Sequence, residues 1–116
     1  DVFYKSGSRR DWAEKAYVVF ALAEQRDPVS ESIIDRAADE LVLAVGRVLQ
    51  SLGTDGPVVM AGGMVVHQPL LQAKIRELLT RQGTGDVRVL DRHPVHGAVA
   101  LATALLRSDN EILDVR

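Results

Sequence analysis

Cysteine is absent from this chain, and its absence removes several kinds of site. None of the 116 residues is cysteine, so the chain has no disulfide framework, no thiolate zinc site and no catalytic thiol. A chain without disulfides suits a reducing compartment. We therefore expect a cytoplasmic protein.

An excess of positive charge and long apolar runs are missing too. The net charge is −2, which argues against a broad basic surface for nucleic acid. No apolar run approaches the ~20 residues that a membrane helix needs. We therefore expect neither a nucleic-acid partner nor a membrane partner.

What is present is the composition of an ordinary globular protein, with 47% hydrophobic and 26% charged residues. A chain of 116 residues fits one domain, residues 1–116, in which folding buries roughly 65% of the unfolded surface. The chain starts at Asp1 with no signal-peptide pattern after it. We expect Asp1 to be a processing site or the edge of a longer protein.

Hydrophobic periodicity predicts the order helix, helix, strand, helix, strand, helix. The second helix has the strongest signals, because Asp27 can cap it, Pro28 suits its first position and Gly53 ends it. Asp11 with Glu14 resembles a capping box and predicts the start of the first helix. The predicted helices are 11–25, 28–52, 68–82 and 95–107, the predicted strands are 58–61 and 86–90, and residues 5–10 are predicted to form a loop.

The alternation of strands and helices in the second half predicts an α/β fold with a right-handed parallel crossover. The apolar run Val58–Ala61 indicates a strand buried on both faces. Two parallel strands are too few to stand alone. We therefore expect a partial α/β lobe whose other strands lie upstream or in a partner.

The most informative candidate site is the stretch Ala61, Gly62, Gly63 and Met64, directly after the first strand. Ligands of parallel sheets bind beyond the carboxyl ends of the strands. Two glycines at that point let the backbone contact a flat or phosphorylated ligand, and the helix that follows adds the positive end of its dipole. The stretch matches neither the dinucleotide fingerprint nor the P-loop. The alternative is a tight strand-to-helix turn without a ligand.

Other residues offer weaker candidates. The stretch Pro94-Val-His-Gly97-Ala98 is a second candidate, in which Gly97 and Ala98 at the start of the last helix predict close helix packing more than ligand contact. His93 and His96 lie three apart across a helix start with no obvious third ligand, so no metal site is predicted. His67 is interpreted as a cap or surface residue, with a ligand-facing role as the alternative. Ser30, Ser32 and Ser51 lack a nearby base, and the paired carboxylates lie on a polar helix face, so no catalytic residue is predicted.

Four of these segments, in this order, resemble one family. They are the helix opening with Asp27-Pro28, the stretch Val58-Val-Met-Ala-Gly-Gly-Met64, the triplet Pro69-Leu-Leu71, and Pro94-Val-His-Gly-Ala-Val-Ala-Leu-Ala102. From about Trp12 to Leu106 the chain is similar to the C-terminal part of the N-acetylglucosamine kinases and the related BadF/BadG/BcrA/BcrD-type ATPases. These belong to the sugar kinase, Hsp70 and actin superfamily.

The resemblance implies a ribonuclease-H-like, actin-like ATPase lobe in which Ala61, Gly62, Gly63 and Met64 form the adenosine motif. It also implies ATP and Mg²⁺ as cofactors of a full-length parent, with none bound tightly to this chain. The parent would transfer the γ-phosphoryl group of ATP to a sugar hydroxyl. ATP and the sugar would be partners through an N-terminal part, and we expect a homodimer.

The chain departs from the family in its catalytic parts. The Asp-Gly-Gly-x-[Thr/Ser] phosphate hairpin, the second phosphate loop and the catalytic Asp have no match here, so no catalytic residue is assigned. The expectation is a C-terminal fragment of an ATP-dependent sugar kinase. The alternatives are a BadF-type ATPase resembling the CoA-reductase activators, a non-catalytic dimerisation module, and a small α/β domain that binds another phosphorylated ligand.

Overall fold

The computed structural model describes residues 7–114, and side chains up to residue 111. The chain is a mixed α/β structure, mostly helical, with one two-stranded sheet. The helices are α1 (Arg9–Glu24), α2 (Pro28–Leu52), α3 (Gly63–Val66), α4 (Pro69–Arg81) and α5 (Val95–Asp114), and the strands are β1 (Val58–Met60) and β2 (Val87–Val89).

The first helix begins earlier than predicted, because Ser8 caps it in place of Asp11. The Ser8 hydroxyl accepts a hydrogen bond from the Asp11 amide at 3.3 Å, and the Asp11 carboxylate accepts one from the Ser8 amide at 2.7 Å. This reciprocal pair satisfies two amides that a helix start leaves free. The hydrogen bond from the Ser8 backbone also lowers the pKa of Asp11. Of the predicted loop over residues 5–10, residues 9–10 are therefore helical, and residues 5–6 lie outside the described part.

The second helix has the predicted bounds. The Asp27 carboxylate accepts a hydrogen bond from the Ser30 amide at 2.9 Å, and Pro28 occupies the first turn. Gly53 ends the helix in the left-handed conformation, at φ 64° and ψ 38°, which glycine adopts at no steric cost. Across the helix pair, Asp35 on α2 forms an ion pair with Lys74 on α4.

The two strands pair in parallel, as predicted, with Val58 opposite Val87 and Met60 opposite Val89. Each strand is three residues long, shorter than predicted. The connection between them contains two helices where one was predicted: the short α3, and then α4 from Pro69. Because the two strands are parallel, both end at the same edge of the sheet.

The core lies between one face of the sheet and the helices α1, α2 and α4. Its buried apolar residues are Phe20, Ala23, Ile34, Ala38, Val42, Met60, Leu71, Ile75, Leu79 and Val87. On the opposite face of the sheet, Val59 is 52% exposed and Arg88 is exposed. The prediction that β1 is buried on both faces is wrong for this chain, because only one face is covered by its own helices.

The last helix, α5, projects from this core. Every residue from Asp91 to Glu111 is exposed, including the apolar Val95, Val99 and Leu105. The helix also continues to Asp114, past the predicted end at Arg107. The radius of gyration is 19.1 Å, against about 13 Å for a compact domain of this size. Within residues 7–114, no helix combines the length and the apolar character that crossing a membrane requires.

Alanine substitutions at Leu79, in the core, and at Leu101, on α5, test whether α5 lies outside the core. We expect Leu79→Ala to lower the free energy of unfolding by about 2–5 kcal/mol, because it opens a cavity where Leu79 is 0% exposed. The matched control Leu101→Ala should change it by less than about 0.5 kcal/mol, since Leu101 is 71% exposed. Urea titration followed by circular dichroism measures both. Equal losses in the two variants would contradict this packing.

Candidate functional site

A cleft lies beyond the carboxyl ends of the two strands. Its volume is about 340 Å³, and it is lined by Gly62 and Gly63, by Val66 and His67, and by residues 90–94. Because β1 and β2 are parallel, the turn after β1 and the loop after β2 meet at one edge of the sheet. The cleft therefore lies at the carboxyl ends of both strands, which is where parallel sheets bind ligands.

Backbone and side-chain hydrogen bonds hold the two walls of the cleft. The Leu90 amide donates to the Met60 carbonyl at 2.9 Å, which joins the end of β2 to the end of β1. The Gln72 side-chain amide donates to the carbonyls of Val65 and Val66, at 2.7 and 3.0 Å. These two bonds fix the short α3 against α4, and so fix the position of the Gly62–Gly63 turn relative to the sheet.

Gly62 is required by the backbone of this turn. Its φ and ψ are 99° and 147°, a combination that side-chain-bearing residues rarely adopt. A Cβ built at this position would meet no described atom within 4 Å. Position 62 therefore requires glycine because of its backbone conformation, and not because a side chain would lack space.

Gly63 differs, because nothing in the described part of the chain requires a glycine there. It is the first residue of α3, its φ is not in the positive region, and a Cβ would again meet no described atom within 4 Å. The missing side chain leaves backbone open towards the cleft. A ligand or a further protein element that approaches this backbone closely would account for the glycine.

The predicted site residues divide into two pairs. Gly62 and Gly63 line the cleft, while Ala61 and Met64 are exposed beside it and do not line it. The predicted contribution of a helix dipole is small, because α3 has only 4 residues and few peptide dipoles add up over one turn.

Of the other wall, residues 90–94, only Pro94 belongs to a candidate stretch predicted from the sequence. Asp91 and Arg92 bring opposite charges to it, and His93 and His67 bring two imidazoles. The available signal was the parallel crossover itself, because the residues after the second strand must meet those after the first. His67 is exposed and is the C-cap residue of α3, which fits its interpretation as a cap or surface residue, and it also lines the cleft.

Gly97 and Ala98 do not pack as predicted. Both are exposed at the start of α5, and a Cβ at Gly97 would meet no described atom within 4 Å. Close helix packing is therefore wrong as an account of Gly97 within this chain. His96 lies outside the cleft, in the first turn of α5, and within residues 7–114 no group of three or more His, Asp or Glu is placed to hold a metal ion.

Two of the other cavities are larger than the cleft. A depression of about 580 Å³ is lined by residues 69–81 of α4 alone, so it is the outer surface of one helix. An apolar groove of about 380 Å³ lies between the end of α2 and the start of β1, beside Val48, Leu52 and Pro57. That groove is at the amino end of β1, opposite to the end where parallel sheets bind ligands.

No protein-family model, curated protein or solved structure matches this chain. The family resemblance found in the motifs therefore stays a prediction, and the cleft is interpreted from its own chemistry.

The two glycines should respond differently to alanine. We expect Gly62→Ala to lower the free energy of unfolding by about 1–3 kcal/mol, because alanine would be forced into a glycine-only conformation. Gly63→Ala should leave it unchanged or raise it by up to about 1 kcal/mol. Thermal and urea unfolding test both variants. A Gly62→Ala variant as stable as the parent would show that this turn has a different backbone.

Proposed function

We propose that the cleft binds the adenosine part of ATP, and that the chain is the C-terminal lobe of an ATP-dependent sugar kinase of the N-acetylglucosamine kinase type. The observation that carries the proposal is Gly63. It follows β1, lines the cleft together with the loop after β2, and has neither a positive φ nor a close neighbour among the described residues that would require a glycine. Backbone free of side chains at this point suits a flat nucleoside.

The lining of the cleft also suits a nucleoside. Val66, Leu90 and Pro94 supply apolar surface, and His67 and His93 can form hydrogen bonds with ribose or base. Small-molecule sites typically combine a mostly apolar lining with a few polar groups that orient the ligand. A volume of about 340 Å³ is at the lower end of the range for such sites, roughly 300–1,000 Å³, and suits part of a ligand.

The exposed apolar surfaces support a lobe that is completed by further protein. The bare face of the sheet around Val59 and the apolar residues of α5 are exposed, whereas parallel sheets are normally covered on both faces. In the proposal, the ribonuclease-H-like sheet is extended and covered by the rest of the kinase. That part would also hold the sugar.

Phosphoryl transfer needs phosphate-binding loops, a metal-binding carboxylate and a base for the attacking hydroxyl. Within residues 7–114 no group of three or more His, Asp or Glu could hold a metal ion, and the proposal assigns Mg²⁺ to none of these residues. The contribution proposed for this chain is to bind and orient the nucleoside end of ATP. A BadF-type activator ATPase would use the same cleft in the same way.

A second candidate is a non-catalytic dimerisation module, favoured by the exposed apolar residues of α5. Two copies could cover these surfaces mutually. A partner copy that packs closely on the backbone at position 63 would also account for the glycine there. Nucleotide binding therefore distinguishes the two functions.

We expect the chain to bind ATP and adenosine weakly, with Kd on the order of millimolar, and Gly63→Val to weaken both by about tenfold or more, since its side chain projects into the proposed ligand space. The matched control is Gly85→Val. Gly85 lies before β2, has no positive φ, and offers a Cβ the same open space. NMR titration gives the Kd values. Equal affinities in the two variants, with both folded, would contradict a nucleotide site at the Gly-Gly turn.

A further inference from the structure

We infer that Arg92 stacks its guanidinium plane on the flat ring of the ligand, so that the cleft holds the base of a nucleotide and not its phosphates. The inference rests on the proposed function and assigns a binding residue and a ligand part to the same site. Arg92 belongs to the loop after β2 and lines the cleft together with Gly62 and Gly63.

The guanidinium of Arg92 is uncommitted among the described residues, which distinguishes it from its neighbours. Arg88 is held by Asp86 through two hydrogen bonds of 2.8 and 2.7 Å. Arg81 pairs with Glu77, and Arg76 donates to the Val87 carbonyl. Within residues 7–114, Arg92 forms neither a hydrogen bond nor an ion pair. Its planar faces are therefore available to a ligand.

The charge of the cleft favours a ring over a polyphosphate. Asp91 and Arg92 both line it, so their formal charges cancel. A triphosphate at Arg92 would also meet the Asp91 carboxylate, and like charges repel. The short α3 adds little dipole, because it has only 4 residues. A neutral aromatic ring meets no such repulsion.

The apolar part of the lining also suits an aromatic ring. Val66, Leu90 and Pro94 give the cleft apolar walls, and an arginine guanidinium stacks on aromatic faces through a cation–π contact. A base held between the glycine backbone and Arg92 would leave the phosphates of the nucleotide outside the cleft. There, the rest of the kinase would bind them.

The experiment compares Arg92→Lys and Arg92→Gln with the parent chain, with adenine, adenosine, ATP and inorganic tripolyphosphate as probes. Lysine keeps the charge and loses the planar stacking surface. The expected result is that both variants bind adenine and adenosine roughly three- to thirtyfold more weakly. Tripolyphosphate should show no dependence on Arg92. Arg107→Gln on α5, outside the cleft, removes the same charge and should bind all probes like the parent.

The outcomes separate the inference from the proposed function. If Arg92→Lys binds adenosine like the parent while Gly63→Val does not, the stacking role is overturned and the nucleotide site stands. If tripolyphosphate binding depends on Arg92, the residue contacts phosphate and the inference is overturned. If adenine binding depends on Arg92 but neither adenosine nor ATP binds, stacking stands and the proposed function fails. If no probe binds the parent chain, both fail.

Discussion

The parallel pairing of β1 with β2 is the constraint on which the cleft depends. With the register Val58 to Val87 and Met60 to Val89, the residues after each strand must meet at the same edge of the sheet. The hydrogen bond from the Leu90 amide to the Met60 carbonyl, 2.9 Å long, continues the pairing past the strand ends. It holds the Gly62–Gly63 turn and the loop 90–94 as facing walls. A changed register would move the two walls apart.

The same sheet explains why the chain leaves apolar surface exposed. On one face of the sheet, Met60 and Val87 belong to the same buried cluster as residues of α1, α2 and α4. The other face has no cover within residues 7–114, and α5 is exposed up to Glu111. A parallel sheet with one bare face loses part of the burial that normally stabilises it. The cleft opens between the covered part and the projecting α5, which suits a site completed by a neighbouring element.

Part of this structure could be predicted from the sequence, because its signals are local. Three residues set the bounds of α2. The Asp27 carboxylate accepts a hydrogen bond from the Ser30 amide, Pro28 suits the first turn, and Gly53 adopts the left-handed conformation that ends the helix. The start of α1 was predicted at Asp11, whereas in the structure Ser8, within the segment predicted as a loop, is the N-cap. The far wall of the cleft, residues 90–94, depends on pairing between strands distant in sequence. Its loop has no motif of its own, so its role followed only from the topology. The exposure of Gly97 could not be predicted, because packing depends on elements from elsewhere in the fold.

Mapping ATP onto the chain by NMR tests the central claim most directly. Backbone amide shifts of the isotope-labelled chain would be followed while ATP is added. The account predicts that the largest shifts fall on residues 62–67 and 90–94, the two walls of the cleft, and that α5 beyond its first turn does not respond. Shifts centred on the apolar groove between α2 and β1, or no shifts at millimolar ATP, would contradict the assignment of the nucleotide to the strand ends.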